Sequence, residues 1–166
     1  MIEVSFKNDI LPLKDIIFRL ALRITLNRED AEDIVQETLI RLWNETKKGE
    51  VRDPKAMAMT VCRNLSLDLV EKRERKNFSL DEQVHDRPDV AVSPDRAVEN
   101  MEKWQIINSM INQLPEKQRT AVQLRDVEGR TYKEIADVMQ ISEADVKVNI
   151  FRARQKLREQ LTGIKQ

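Results

Sequence analysis

The chain has 166 residues, of which 35% are charged and 4% aromatic, and its 29 basic and 29 acidic residues cancel. A single cysteine, Cys62, and a single histidine exclude an intramolecular disulfide and leave a Cys/His metal centre short of ligands. No apolar run reaches the ~18–20 residues of a membrane span, and Lys7, Asp9 and Lys14 interrupt the N-terminal apolar stretch that a secretory signal would need.

A cytoplasmic protein is therefore expected, and scarce glycine and aromatics, with abundant Glu, Lys, Arg, Leu and Met, predict an all-α fold. The first predicted helix runs over residues 6–25, with Ile10, Leu13, Ile17, Leu20 and Ala21 at helical spacing. The second begins near residues 28–30, where acids crowd the positive end of the helix dipole. It turns Ala31, Ile34, Val35, Leu39 and Leu42 inward and stops near Gly49. Asp53-Pro54 is a cap residue followed by proline at the first helical position, so a third helix starts there and runs to about residue 76. Residues 51–80 hold seven bases and four acids, a net +3.

Residues 78–94 lose helical periodicity and carry Pro88, Pro94 and several aspartates. Residues 81–102 hold seven acids and two bases, a net −5. An acidic linker over residues 78–96 is expected, joining a helical domain at 1–77 to another at 97–166. Such a linker is either plainly solvated or shields a basic surface.

Four helices are expected in the second domain, over residues 97–113, 116–127, 131–139 and 142–161. Thr131 and Glu134 fit a capping box, and Ser142 with Asp145 resembles one. Ile135, Ala136 and Met139 form one inner face; Val146, Ile150, Ala153 and Leu157 form another. The turn Gln140-Ile141 joins these helices, which is the helix-turn-helix pattern. Residues 146–158 contain no acid. Their outward side chains, Lys147, Asn149, Phe151, Arg152, Arg154 and Arg158 with Lys156, suit a helix set among DNA phosphates. The same pattern also fits a solvated basic face.

Two stretches resemble a known family. T-Y-K-E-I-A-D-V-M-Q-I-S-E-A-D-V-K-V-N-I-F-R-A-R-Q-K-L at 131–157, preceded by L-P-E-K-Q-R-T-A-V at 114–122, resembles the fourth conserved region of bacterial sigma factors. D-A-E-D-I-V-Q-E-T-L-I-R-L-W at 30–43 and V-C-R-N-L-S-L-D at 61–68 resemble the second region. The two-domain layout is similar to the extracytoplasmic-function subgroup of the sigma-70 family.

The resemblance implies a subunit that binds core RNA polymerase, directs it to promoters and aids melting. It implies that Asp30, Asp33, Gln36 and Glu37 meet the polymerase clamp helices, and that the second region also contacts the −10 promoter element. Arg63, Asn64, Lys72, Arg73, Arg75 and Lys76 would follow that DNA, with Lys47 and Lys48 in the loop 46–52 that selects a flipped base. It assigns Lys147, Asn149, Phe151, Arg152, Arg154 and Arg158 to the −35 element, and leaves room for the polymerase flap and an anti-sigma factor as further protein partners. No cofactor or metal is implied.

The sequence departs from the family pattern at three places. Met57 stands where many members carry Trp, and residues 51–76 contain no aromatic on which a melted base could stack. Gln140 stands where the turn often has Gly, so a left-handed backbone there would be mildly strained. Val148-Asn149 replace a frequent Ser-Arg, which leaves the −35 base contacts open.

The alternative is a stand-alone helix-turn-helix regulator, normally a dimer on a two-fold DNA site. An enzyme is not expected. Glu29, Asp30, Glu32 and Asp33 could suggest a hard-metal site, but acids opening a helix are explained by its dipole. The pattern offers no nucleophile–base pair and no Gly-rich phosphate loop.

Overall fold

Pro12 decides how the chain begins. The structure, a computed structural model, describes residues 4–49, 51–80 and 99–165, and proline at position 12 supplies no backbone donor. The single helix expected over residues 6–25 is therefore broken into a π-helical turn at Phe6–Ile10, a 3-10 turn at Leu11–Leu13 and α1 at Lys14–Thr25. Leu26 closes α1 in the left-handed region (φ 58°), an unusual conformation for a branched residue. Asn27 then caps α2, Arg28–Lys47, by accepting the Asp30 N–H at 2.9 Å. Asp53 accepts the Ala56 N–H ahead of α3, Pro54–Leu80. α3 thus continues three residues into the expected linker; residues 81–98 lie outside the described residues.

The second group comprises α4 (Glu99–Asn112), α5 (Glu116–Val122), a π-helical turn at Gln123–Val127, α6 (Tyr132–Met139) and α7 (Glu143–Lys165). No strand occurs among the described residues. The capping box predicted at α6 is present: Glu134 N–H donates to Thr131 Oγ1 at 3.1 Å, and Thr131 N–H donates to Glu134 Oε1 at 2.9 Å. These contacts hold the Glu134 carboxyl below its usual range, the backbone N–H of Thr131 being the main cause. Gln140 takes the left-handed conformation (φ 59°, ψ 44°) anticipated for that turn, at a cost of roughly 1 kcal/mol for a residue with a Cβ. Ser142 accepts the Asp145 N–H and opens α7.

The two groups of helices are packed together, α1 against α5 and α3 against α6. One buried core runs through both: Ile17, Leu20, Ile24 and Met59 on one side, Leu124, Ile135, Val138 and Met139 on the other. A smaller cluster of Ile111, Leu114, Val122 and Ala153, with Ile107 and Leu157 against it, holds α4 to α5 and α7. No described helix is long and apolar enough to cross a membrane.

Candidate functional site

The outer face of α2 carries Asp33, Gln36 and Glu37, all exposed, at the three- and four-residue spacing that puts them on one stripe. Ile40 extends the stripe and is 60% exposed. Sequence reasoning missed it, although its place one turn beyond Gln36 and Glu37 was a readable signal. Glu37 pairs with Arg41 at 3.1 Å. Trp43 lies edge-on to Phe6 with Lys47 over its ring at 5.5 Å. Lys47 is therefore in the last turn of α2, and only Lys48 of that pair begins the loop.

Asp30 does not share the outer face. It is buried and pairs with Arg73 at 2.8 Å. Burial raises its carboxyl above the ordinary range, the Arg73 charge opposes this, and Asp33 and Glu29 add to the rise. In this conformation Asp30 ties α2 to α3 and is closed to a partner.

On α3, Asn64, Lys72, Arg75 and Lys76 are exposed, as is Arg73 despite its pairing. Arg63 is not. Its guanidinium donates to both carboxylate oxygens of Glu116 at 3.0 and 3.2 Å, and to the Met139 carbonyl at the end of α6 at 3.3 Å. In this conformation Arg63 is withheld from DNA, because it is buried in the seam between the two groups of helices and each of its three guanidinium nitrogens has a partner there.

Other arginines share that seam. Arg19 makes a two-point contact with Glu128 at 2.7 and 2.9 Å. Arg23 is buried and, among the described residues, donates to neutral acceptors, Gln123 Oε1 at 2.8 Å and Asn112 Oδ1 at 2.6 Å. Arg119 donates to the carbonyls of Asn112, Leu114 and Ile24, and its Nε has no partner among the described residues. Burial, with the Arg119 charge next to it, pulls Arg23 down to about 10. Nothing in the sequence marked these residues: their partners across the seam lie 89 to 109 positions away.

α7 keeps its outer face exposed, with Lys147 and Arg154 reaching to neighbouring elements. Lys147, Phe151, Arg152, Arg154, Lys156 and Arg158 are exposed. Lys147 sits over the Tyr132 ring at 5.3 Å, with Arg125 over the same ring at 4.3 Å. Arg154 makes a two-point contact with Asp126, its Nε donating at 3.2 Å. Asn149 is only partly exposed, and its Nδ2 donates to the Asp145 carbonyl at 2.9 Å.

An acidic stripe, a basic helix and a helix-turn-helix thus occur in that order on one chain. The family model for sigma-70 region 2 matches residues 11–76, and that for sigma-70 region 4 matches residues 104–157. SigM of Bacillus subtilis, an ECF RNA polymerase sigma factor, is 32% identical over 143 residues, which cover 86% of each protein. The chain belongs to the extracytoplasmic-function RNA polymerase sigma factors.

Other ECF relatives agree with this. SigW of Bacillus subtilis is 30% identical over 91% of this sigma factor and 86% of its own length. SigE of Mycolicibacterium smegmatis is 31% identical over 89% of this chain, which spans 58% of that longer protein. The fold matches RpoE of Bartonella quintana, solved with the anti-sigma factor NepR, at a TM-score of 0.79 and 24% identity over 95% of this chain and 96% of that one. It also matches CnrH, solved with the cytosolic domain of CnrY, at a TM-score of 0.66 and 20% identity over 95% and 88%. As a sigma factor, the protein directs RNA polymerase to promoters.

Proposed function

We propose that this sigma factor acts in the cytoplasm, without catalysis of its own, by a two-point grip on promoter DNA. Asp33, Gln36 and Glu37 dock on the basic clamp helices of core polymerase, with Ile40 supplying apolar contact beside the acids. Asn64, Lys72, Arg75 and Lys76 follow the −10 strand, and the outer face of α7 holds the −35 duplex. The observation that carries this reading is the order of the three exposed surfaces on one chain, each with the charge its target requires.

The seam adds a condition. Arg63 can join the −10 contacts only when the two groups of helices part, because Glu116 and Met139 occupy it in the packed form. The packed form is thus the resting state, and polymerase selects the parted one. RpoE, which shares this fold, was solved with the anti-sigma factor NepR, which supports an anti-sigma factor as a further protein partner.

The docking assignment is tested with Asp33→Lys in the full chain. The residue is exposed, so stability should hold within about 0.5 kcal/mol. Affinity for core polymerase should fall about tenfold or more, since a lysine would oppose basic clamp helices. Unchanged core affinity removes Asp33 from the docking surface.

A further inference from the structure

The apolar crest of α7 offers a means of reading bases. At 100° per residue, Ala144, Val148 and Phe151 lie on the side of the helix away from the buried row Val146, Ile150 and Ala153. Val148 is 41% exposed and Phe151 64%. Lys147, Arg154 and Arg158 flank this crest on one shoulder, Arg152 and Lys156 on the other. The arrangement matches a groove with an anionic phosphate wall on each side and something apolar at its floor.

A recognition helix reads bases with the residues of its N-terminal half. Asn149 donates to the Asp145 carbonyl, Lys147 lies against Tyr132 and Arg154 pairs with Asp126, while the exposed Arg152 stands on the shoulder that faces a phosphate wall rather than on the crest. What remains free along the crest from residue 144 to 151 is hydrocarbon. The apolar group that the major groove displays is the C5 methyl of thymine.

We propose that Val148 and Phe151 read the upstream promoter element through thymine methyls, and that Asn149 supports the helix without reading a base. This rests on the sigma-factor reading above. The alternative occupant of the crest, a protein partner, is excluded or supported by the same experiment.

The test uses holoenzyme assembled from the full chain and core RNA polymerase, and a duplex library randomised across the upstream element. Bound duplexes are sequenced. The best one is then remade with each thymine replaced in turn by deoxyuridine, which lacks only the methyl. Enrichment of thymine at one or two positions is expected, with about fourfold weaker binding at each replacement, the effect of one buried methyl-sized group. Phe151→Ala, at an exposed site, should lose the deoxyuridine penalty at the position that Phe151 reads, and Val148→Ala with Phe151→Ala should bind thymine and deoxyuridine duplexes equally. Phe151→Arg should shift enrichment towards guanine, which accepts two hydrogen bonds from arginine.

Indifference of the wild type to deoxyuridine at every position overturns the proposal, as does a full penalty that persists when Val148 and Phe151 are both replaced by alanine. If that indifference accompanies normal enrichment and initiation, the sigma-factor role stands and the methyl reading alone fails. If Phe151→Ala weakens binding to core polymerase while duplex preferences stay the same, the crest belongs to a protein partner and the proposal falls. No enrichment at all overturns both readings.

Discussion

Replacing Asn112 with aspartate should tighten the seam and weaken the protein's hold on polymerase. Asn112 Oδ1 accepts from the buried Arg23 at 2.6 Å, and the other acceptor of Arg23 is also neutral. The pull on Arg23 from 12.5 down to about 10 corresponds to at most about 3.5 kcal/mol of uncompensated burial and repulsion by Arg119. Asn112→Asp places a carboxylate of nearly the same size on that contact. Part of the gain is lost, because the new charge is itself desolvated and sits at the negative end of α4. Recovery of about half leaves ~1.5 kcal/mol in favour of the packed form. Melting should then rise by about 3–6 °C for a chain of this size. If polymerase binds only the parted form, its apparent affinity should drop by about tenfold. Calorimetry on the free protein and fluorescence titration with core polymerase measure the two effects. A raised melting temperature with unchanged polymerase affinity refutes the need for parting. A lowered melting temperature refutes the claim that Arg23 gains from a negative partner in place of Asn112.

Three further outcomes are expected. Gln140→Gly removes a Cβ from a left-handed position (φ 59°) and should raise stability by about 0.5–1 kcal/mol in denaturant titration; no gain means the turn is unstrained. Burial pushes the Cys62 thiol up to about 12, so a thiol reagent at pH 8 should label the native chain far more slowly than the unfolded one; equal rates would show that α1 and α3 open freely. Asp126→Asn frees Arg154 from its two-point contact and should raise duplex affinity about two- to threefold at low salt, an exposed pair being worth under about 1 kcal/mol. A gain that persists at high salt would argue against an electrostatic origin.

The helix-turn-helix was legible because its signals are local. Thr131 and Glu134 lie within one turn of each other, and Val146, Ile150 and Ala153 repeat at the helical period. The starts of α2 and α3 were legible for the same reason. Leu26 escaped notice because no side-chain preference marks a leucine in the left-handed region. The seam was illegible because its chemistry is nonlocal: Arg19, Arg23 and Arg119 look like ordinary surface cations until α1 meets α5. Asp30 and Arg63 show the converse, since a charged residue is read as exposed unless a distant partner buries it. Charge pattern found the exposed acids of α2 and bases of α7, but not which of their neighbours the packed form withholds.

The central claim is that the exposed surfaces of α2, α3 and α7 together deliver polymerase to a promoter. The most direct measurement is reconstituted transcription: core RNA polymerase, the full chain, and templates taken from genes whose transcripts rise when the protein is overproduced. The account predicts a stable complex of chain and polymerase, and a discrete transcript start that appears only when the chain is added. Tight binding of the free chain as a dimer to a two-fold DNA site, with no affinity for polymerase and no new transcript, would contradict it.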